Sequence, residues 1–151
     1  MRLSTRGRYA LRLMLDIALH QDEGSVSLKS VAQRQDISVK YLEQIVTPLA
    51  RGGLLRTTRG AQGGYRLNRP PEEYAVGLIL RTIEGSLSPV ACVENGEEFC
   101  GQENECVTVE VYRRIDEAID NVVDHITLRD LVELYCEKQR NGKTAAALQE
   151  S

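Results

Sequence analysis

Three of the serines in the first fifty residues each stand just ahead of an apolar stripe with helical period. Ser4, or Thr5 beside it, precedes Ala10, Leu13, Met14, Ile17 and Ala18, which predict an amphipathic helix over residues 5–20. Ser27 precedes a short stripe of Leu28, Val31 and Ala32. Ser38 precedes Val39, Leu42, Val46 and Leu49, a third helix running to about Arg51. A serine hydroxyl at such a place accepts a hydrogen bond from one of the backbone N–H groups that a helix start leaves unpaired. Gln21-Asp22-Glu23-Gly24, Gln35-Asp36 and Gly52-Gly53 supply the stops. Two short helices a few residues apart, the second polar on its outer face, form a helix-turn-helix pattern.

The residues that follow narrow the fold further. Leu54 to Thr58 reads as a short strand, Arg59-Gly60-Ala61-Gln62-Gly63-Gly64 as a loop tip and Tyr65-Arg66-Leu67 as the return strand. A hairpin directly after a helix-turn-helix is a wing. Arg69-Pro70-Pro71 closes that unit, so residues 1–71 form one winged helix-turn-helix region. Residues 72–85 hold a connecting helix with Val76, Ile79, Leu80 and Ile83, stopped by Gly85. Residues 86–106 are a cysteine loop. A long helix over 107–125 carries Val107, Val111, Ile115, Ala118, Ile119, Val122 and Val123. A last helix over 126–140 is capped by Thr127, and 141–151 reads as a flexible tail. The expected fold is mainly α with a small β-hairpin.

Net charge hides a division of labour. Residues 1–70 hold 12 Lys/Arg against 5 Asp/Glu, and residues 71–151 hold 7 against 17, which together give the overall −3. A basic half beside an acidic half suits a polyanion reader joined to a regulatory half, and solvated charge is the plainer alternative. On the third helix, Lys40, Glu43, Gln44 and Thr47 share the side opposite Val39, Leu42 and Val46. Gln44 can pair with adenine and Glu43 can accept from cytosine, while Ser38, Lys40 and Tyr41 suit phosphates. Arg59, with Gly60 beside it at the wing tip, can reach a narrow minor groove. Arg2, Arg6, Arg8 and Arg12 are phosphate contacts or simply solvated. Pro48 removes one helical hydrogen bond, near the far end from the groove-facing residues.

Cys92, Cys100 and Cys106 crowd into a Gly/Glu-rich stretch that cannot build a core. Seven residues separate the first pair and five the second, and no Cys-x-x-Cys occurs. That spacing argues against a zinc ribbon or a thioredoxin-type pair and favours a metal cluster wrapped by a loop. The loop ends at the start of the long helix, whose dipole favours thiolates and an anionic centre. Structural zinc, or a metal-free thiol switch, are the other two readings of the same cysteines.

The opening Met1-Arg2-Leu3-Ser4-Thr5-Arg6-Gly7-Arg8-Tyr9-Ala10, then Ser38-Val39-Lys40-Tyr41-Leu42-Glu43-Gln44, then Arg59-Gly60 with Gly63-Gly64-Tyr65, and then the three cysteines, resemble one known group. It is the IscR-type iron–sulfur cluster regulators, among the bacterial winged-helix repressors that also include the nitric-oxide sensors of the NsrR type. The resemblance covers about residues 1–135. It implies a homodimer whose 107–125 helices pair across a two-fold axis, bound to a pseudo-palindromic double-stranded DNA operator. It implies an iron–sulfur cluster, of the 2Fe-2S type, held by Cys92, Cys100 and Cys106, with control of cluster-assembly genes. It places Ser38, Lys40, Glu43 and Gln44 in the major groove and Arg59 in the minor groove. One position departs from the pattern. Where these proteins carry a histidine ligand three residues after the last cysteine, this chain has Val109. Other members take ligands from the first helix, where Arg8 and Arg12 stand here. A loop glutamate, Glu110, Cys136 or an exogenous ligand are the remaining candidates.

No apolar run reaches membrane-spanning length and no signal-peptide core is present, so a cytoplasmic location is expected. An enzyme is not expected. Two histidines and no Ser/His/Asp set or cofactor fingerprint leave little acid–base capacity.

Overall fold

The computed structural model describes residues 2–94 and 105–150. It contains helices α1 (Thr5–His20), α2 (Leu28–Gln35), α3 (Val39–Arg51), α4 (Val76–Glu84), α5 (Ala91–Glu94), α6 (Val109–Val123) and α7 (Leu128–Glu150). Strands β1 (Leu55–Thr58) and β2 (Gly64–Leu67) pair antiparallel between α3 and α4. Short 3-10 turns at Gln21–Glu23 and Pro71–Glu73 complete the chain.

The serine punctuation is real. Ser4 Oγ accepts from the Gly7 N–H, Ser27 Oγ from Ser30 and Ser38 Oγ from Tyr41. Thr127 caps α7 reciprocally: its Oγ1 accepts from the Asp130 N–H at 3.2 Å, and its own N–H donates to Asp130 Oδ2 at 2.8 Å. The break between α2 and α3 turns on Asp36, whose φ of 53° and ψ of 52° are left-handed. Aspartate tolerates that region better than most residues because its side chain is short and polar.

The core lies where α1, α3 and α4 meet. Ala10, Leu13, Met14 and Ile17 of α1 pack with Leu42, Ile45 and Leu49 of α3 and Ile79 of α4, all buried. Each large side chain there contributes roughly 1.5–3 kcal/mol by leaving water. Leu55 and Leu67, cross-strand partners, seal the hairpin onto this core, and Leu128 at the start of α7 closes its far side. Two features anchor the wing. Val26 exchanges backbone hydrogen bonds with Tyr65, at 2.9 and 2.8 Å, adding a third strand-like rung. Tyr74, fully buried, donates its hydroxyl to the Leu54 carbonyl at 2.7 Å and accepts from the Asn68 and Arg69 N–H groups.

Two elements depart from the sequence reading. Within the expected cysteine loop, Ala91–Glu94 forms a short helix, α5, packed against α6. The last helix continues through Glu150 rather than ending at 140. Its outer part is Ala- and polar-rich, so no apolar stripe marked it as helix, yet alanine is the strongest helix former and the segment has no breaker beyond Gly142.

Candidate nucleic-acid interface and cysteine site

α1 and α2 are locked together, and that lock aims α3. Asp16 of α1 is 1% exposed. Arg34 at the end of α2 grips its carboxylate with two donors, Nη2 to Oδ1 at 2.6 Å and Nε to Oδ2 at 3.0 Å. The Gln35 amide adds a third bond at 2.9 Å. The hydrogen bond to Asp16 raises the Arg34 pKa above its ordinary value, desolvation opposing it and the attraction of Asp16 adding to it. The guanidinium therefore stays charged at every working pH. Arg12 fixes the same corner by donating to the Gln35 carbonyl at 2.6 Å and to its Oε1 at 3.1 Å. Asp16, Arg34 and Tyr74 are positioning residues that pattern reading missed. A carboxylate inside the α1 stripe, next to Met14 and Ile17, was the available signal.

From that frame α3 presents Ser38, Lys40, Glu43, Gln44 and Thr47 to solvent, all exposed on one side. The opposite side, Leu42, Ile45, Val46 and Leu49, is buried, whereas Val39, expected with it, is 39% exposed in the first turn of α3. Tyr41 is half-buried, and its ring meets Tyr9 edge-on with centroids 5.7 Å apart. Packing thus accounts for much of Tyr41. Pro48 lies within α3, one turn past Gln44. Arg59 and Gly60 are exposed at the wing tip, with Gly60 at a φ of 108°. Gly63 and Gly64 are required by the hairpin itself: a Cβ on Gly63 would strike the Thr58 carbonyl, and one on Gly64 the Val26 backbone.

Charge on this half is largely uncompensated. Of the twelve Lys/Arg in residues 1–70, Arg34 alone forms an ion pair among the described residues. Arg8 is held by the Thr5 hydroxyl, and Arg12 lies over the Tyr9 ring. In the other half, Arg81 of α4 clasps Asp120 and Asp124 of α6, at 2.5 and 2.6 Å. Those bonds raise the Arg81 pKa, Asp124 first.

Cys92 sits on α5, and Cys106 just ahead of α6, both half-buried. α5, which carries Cys92, packs on α6, the helix that Cys106 leads into. Cys106 Sγ is 3.3 Å from Thr108 Oγ1. Cys100 lies outside the described residues, so no set of three metal ligands is seen among the described ones. Val109 is 2% exposed and apolar. Glu110 is paired with Arg113 at 2.6 Å, and Cys136 is exposed on α7. His125 lies past the opposite end of α6 and bonds the Asn121 carbonyl.

The long helix has two faces. Val109 is buried against the chain's own domain, and Asp116 accepts from the Ser88 hydroxyl at 2.7 Å. Val111 and Val122, by contrast, are 56% and 57% exposed, and Ala118 is exposed between them. Beside this face runs an apolar groove of about 480 Å³, with Leu3, Leu80, Leu87, Ile119, Val122 and Val123 among its lining residues.

A reading helix held through an ion pair on the buried Asp16, a tethered wing and an uncompensated basic surface define a winged-helix DNA-binding transcriptional regulator. The chain belongs to the Rrf2 family, described as iron-dependent transcriptional regulators, whose profile matches residues 3–134. The HTH-type transcriptional regulator IscR of Aliivibrio salmonicida is 39% identical over 132 residues, 87% of this chain and 77% of that protein. The regulator CymR of Bacillus subtilis is 42% identical over 131 residues, 87% and 89%. Among solved structures, T. potens IscR aligns with a TM-score of 0.75 at 40% identity, covering 92% of this chain and 91% of that one. CymR, described as the global cysteine regulator of B. subtilis, aligns with a TM-score of 0.73 at 40% identity, covering 89% and 98%. The family consists of regulators, and the chain is not an enzyme. No helix among the described residues is long and apolar enough to cross a membrane.

Proposed function

We propose that this regulator works in the cytoplasm as a homodimer. Its DNA affinity is set by an iron–sulfur cluster, of the two-iron type, seated on Cys92, Cys100 and Cys106. The observation that carries this reading is the three-cysteine stretch itself, joined to a chain that is 39% identical to a regulator named IscR. Thiolates are soft ligands that suit iron–sulfur clusters, and a loop wrapped around a cluster needs no Cys-x-x-Cys. The packing of α5 on α6 supports the fit, because it sets the helix that carries Cys92 against the helix that Cys106 leads into. Val109 cannot ligate, so the fourth position falls to a loop carboxylate, Glu110, Cys136 or an exogenous ligand. Glu110 would first have to leave Arg113.

In this reading Ser38, Lys40, Tyr41, Glu43 and Gln44 enter the major groove of a pseudo-palindromic operator. Arg59, with Gly60, enters the minor groove. Lys40, Ser38 and the Tyr41 hydroxyl hold phosphates, while Glu43 and Gln44 address base edges. The cluster, when bound, supplies a redox-sensitive and loss-sensitive centre at the root of α6. The targets are cluster-assembly genes.

A metal-free thiol switch is the second reading. It is favoured by the equally strong match to CymR, a protein described as a cysteine regulator. Purification without air, with a visible spectrum and iron and sulfide assays, separates the two. The cluster reading expects a coloured protein with iron and inorganic sulfide, both lost when the three cysteines become serine. A colourless protein without sulfide ends it. An oxidant-induced disulfide between two loop cysteines would then support the thiol switch, and stoichiometric zinc a structural site.

A further inference from the structure

The wing carries a feature that its stability does not explain. Arg56 and Arg66 are directly opposite each other in the β1–β2 register, one rung from the buried pair Leu55 and Leu67. Successive residues of a strand alternate faces, so both guanidinium groups stand on the face away from the core. Arg56 is exposed and Arg66 half-buried. Among the described residues neither forms an ion pair or a hydrogen bond through its side chain. Like charges directly opposite on a strand pair destabilise it, so a two-stranded wing is a poor place for this pair in the free protein.

We propose that Arg56 and Arg66 form a phosphate clamp: a paired cationic site on the outer face of the wing that holds the sugar–phosphate backbone of the duplex without regard to sequence. The clamp is additional to the roles given above to α3 and Arg59, and its placement rests on the proposed entry of the wing tip into the minor groove. A phosphate between two guanidinium groups converts their repulsion into two attractions, and Arg is the residue whose planar fork fits that oxyanion. Arg56 lies on β1 three residues before Arg59, which follows the end of that strand, so the two are at most about 10 Å apart at the rise of an extended chain. A wing whose tip enters the minor groove therefore carries the clamp over the backbone flanking that groove. The hairpin is well braced for the task, by the Val26–Tyr65 rung on one side and the Tyr74 hydroxyl at its base.

The test uses the full chain and a fluorescent mixed-sequence duplex, with binding measured across a salt series for wild type, Arg56→Gln, Arg66→Gln, the double variant and the charge-preserving Arg66→Lys. Each neutralised phosphate contact adds about 0.9 to the slope of log affinity against log salt. Each glutamine variant is therefore expected to bind several-fold more weakly at low salt. It should also lose about one unit of slope, and the double variant about two. Arg66→Lys should keep the slope. The melting temperature of the free glutamine variants should hold or rise, because a like-charge pair has gone. Slopes equal to wild type overturn the clamp, and so does a loss of affinity accompanied by a lower melting temperature at unchanged slope, the signature of a merely structural role. Wild-type protein that bound no duplex would instead overturn the DNA-reading function itself.

Discussion

At the scale of single residues, the side chains that matter most for precision are buried and polar. Tyr74 serves three backbone groups at the base of the wing with one hydroxyl. Tyr74→Phe keeps the ring in place, leaves the Leu54 carbonyl with only a long 3.5 Å bond from the Asn68 N–H, and takes the acceptor from the Arg69 N–H. An unsatisfied buried group of that kind costs about 1–3 kcal/mol. The variant should melt several degrees lower by calorimetry, and an unchanged melting temperature would mean that water replaces the hydroxyl. Glu43 poses the opposite case. It is exposed and forms no ion pair among the described residues, and in the proposed DNA complex it would face a polyanion. There it would contribute selectivity at the expense of affinity. Glu43→Ala should relax the base preference at one operator position while binding to other sequences holds or strengthens. A selection of binding sites from random duplexes reads this directly, and equal losses on every sequence would count against it.

At the scale of elements, the link between α1 and α2 sets where α3 points. Arg34→Ala strips the main partner from a carboxylate that is almost fully buried. The Arg34 side chain is itself 34% exposed, so solvent screens the pair, and the Gln35 amide stays behind on Asp16. Chemical denaturation should show a loss of about 2 kcal/mol, the range for a hydrogen bond to a charged group. Arg34→Lys should recover only part of it, since an ammonium cannot reproduce the two-point grip. Loss of less than 1 kcal/mol would mean that Gln35 and His20 hold the carboxylate unaided. Most elements were legible beforehand because their signals are local. A serine cap and an apolar period fix a helix start and its buried face within a few residues, as at Ser4, Ser27 and Ser38. The helix at Ala91–Glu94 was not legible, since four residues carry no period. Neither was the continuation of α7 past 140, where helix propensity acts without an apolar face. Among the site residues, α3 could be read because its polar and apolar sides alternate cleanly. The Asp16–Arg34 lock was half legible: a carboxylate inside the α1 stripe marks Asp16, but nothing local marks its partner 18 residues away. Tyr41 carried a mixed message: expected as a phosphate contact, it is half-buried, with its ring edge-on to Tyr9.

At the scale of the whole molecule, the question is what the long helix does with the face it leaves open. Arg81 holds Asp120 and Asp124, and Ser88 holds Asp116, so three acidic residues at i, i+4 and i+8 fasten α6 to α4 and to the start of the cysteine loop. Gly77 lets α4 come close, since a Cβ there would collide with the Asp124 carboxylate. Fixed in this way, α6 presents Val111, Ala118 and Val122 outward beside an apolar groove. Valines more than half exposed on a fastened helix are poorly placed in a monomer, and a second copy of the same helix is the occupant that the proposed homodimer supplies. Pairing through this face would also set the distance between two reading helices, because α6 is tied to α4, and α4 packs on α1. Val122→Glu places a charge in that face without touching the core of the chain's own domain. Gel filtration with light scattering should then show a monomer at concentrations where wild type is a dimer, with the helical signal of the folded domain retained. On DNA the variant should lose its dependence on half-site spacing, which for paired readers follows the helical repeat of the duplex. A variant that remained dimeric and kept that dependence would put the two-fold axis elsewhere on the chain.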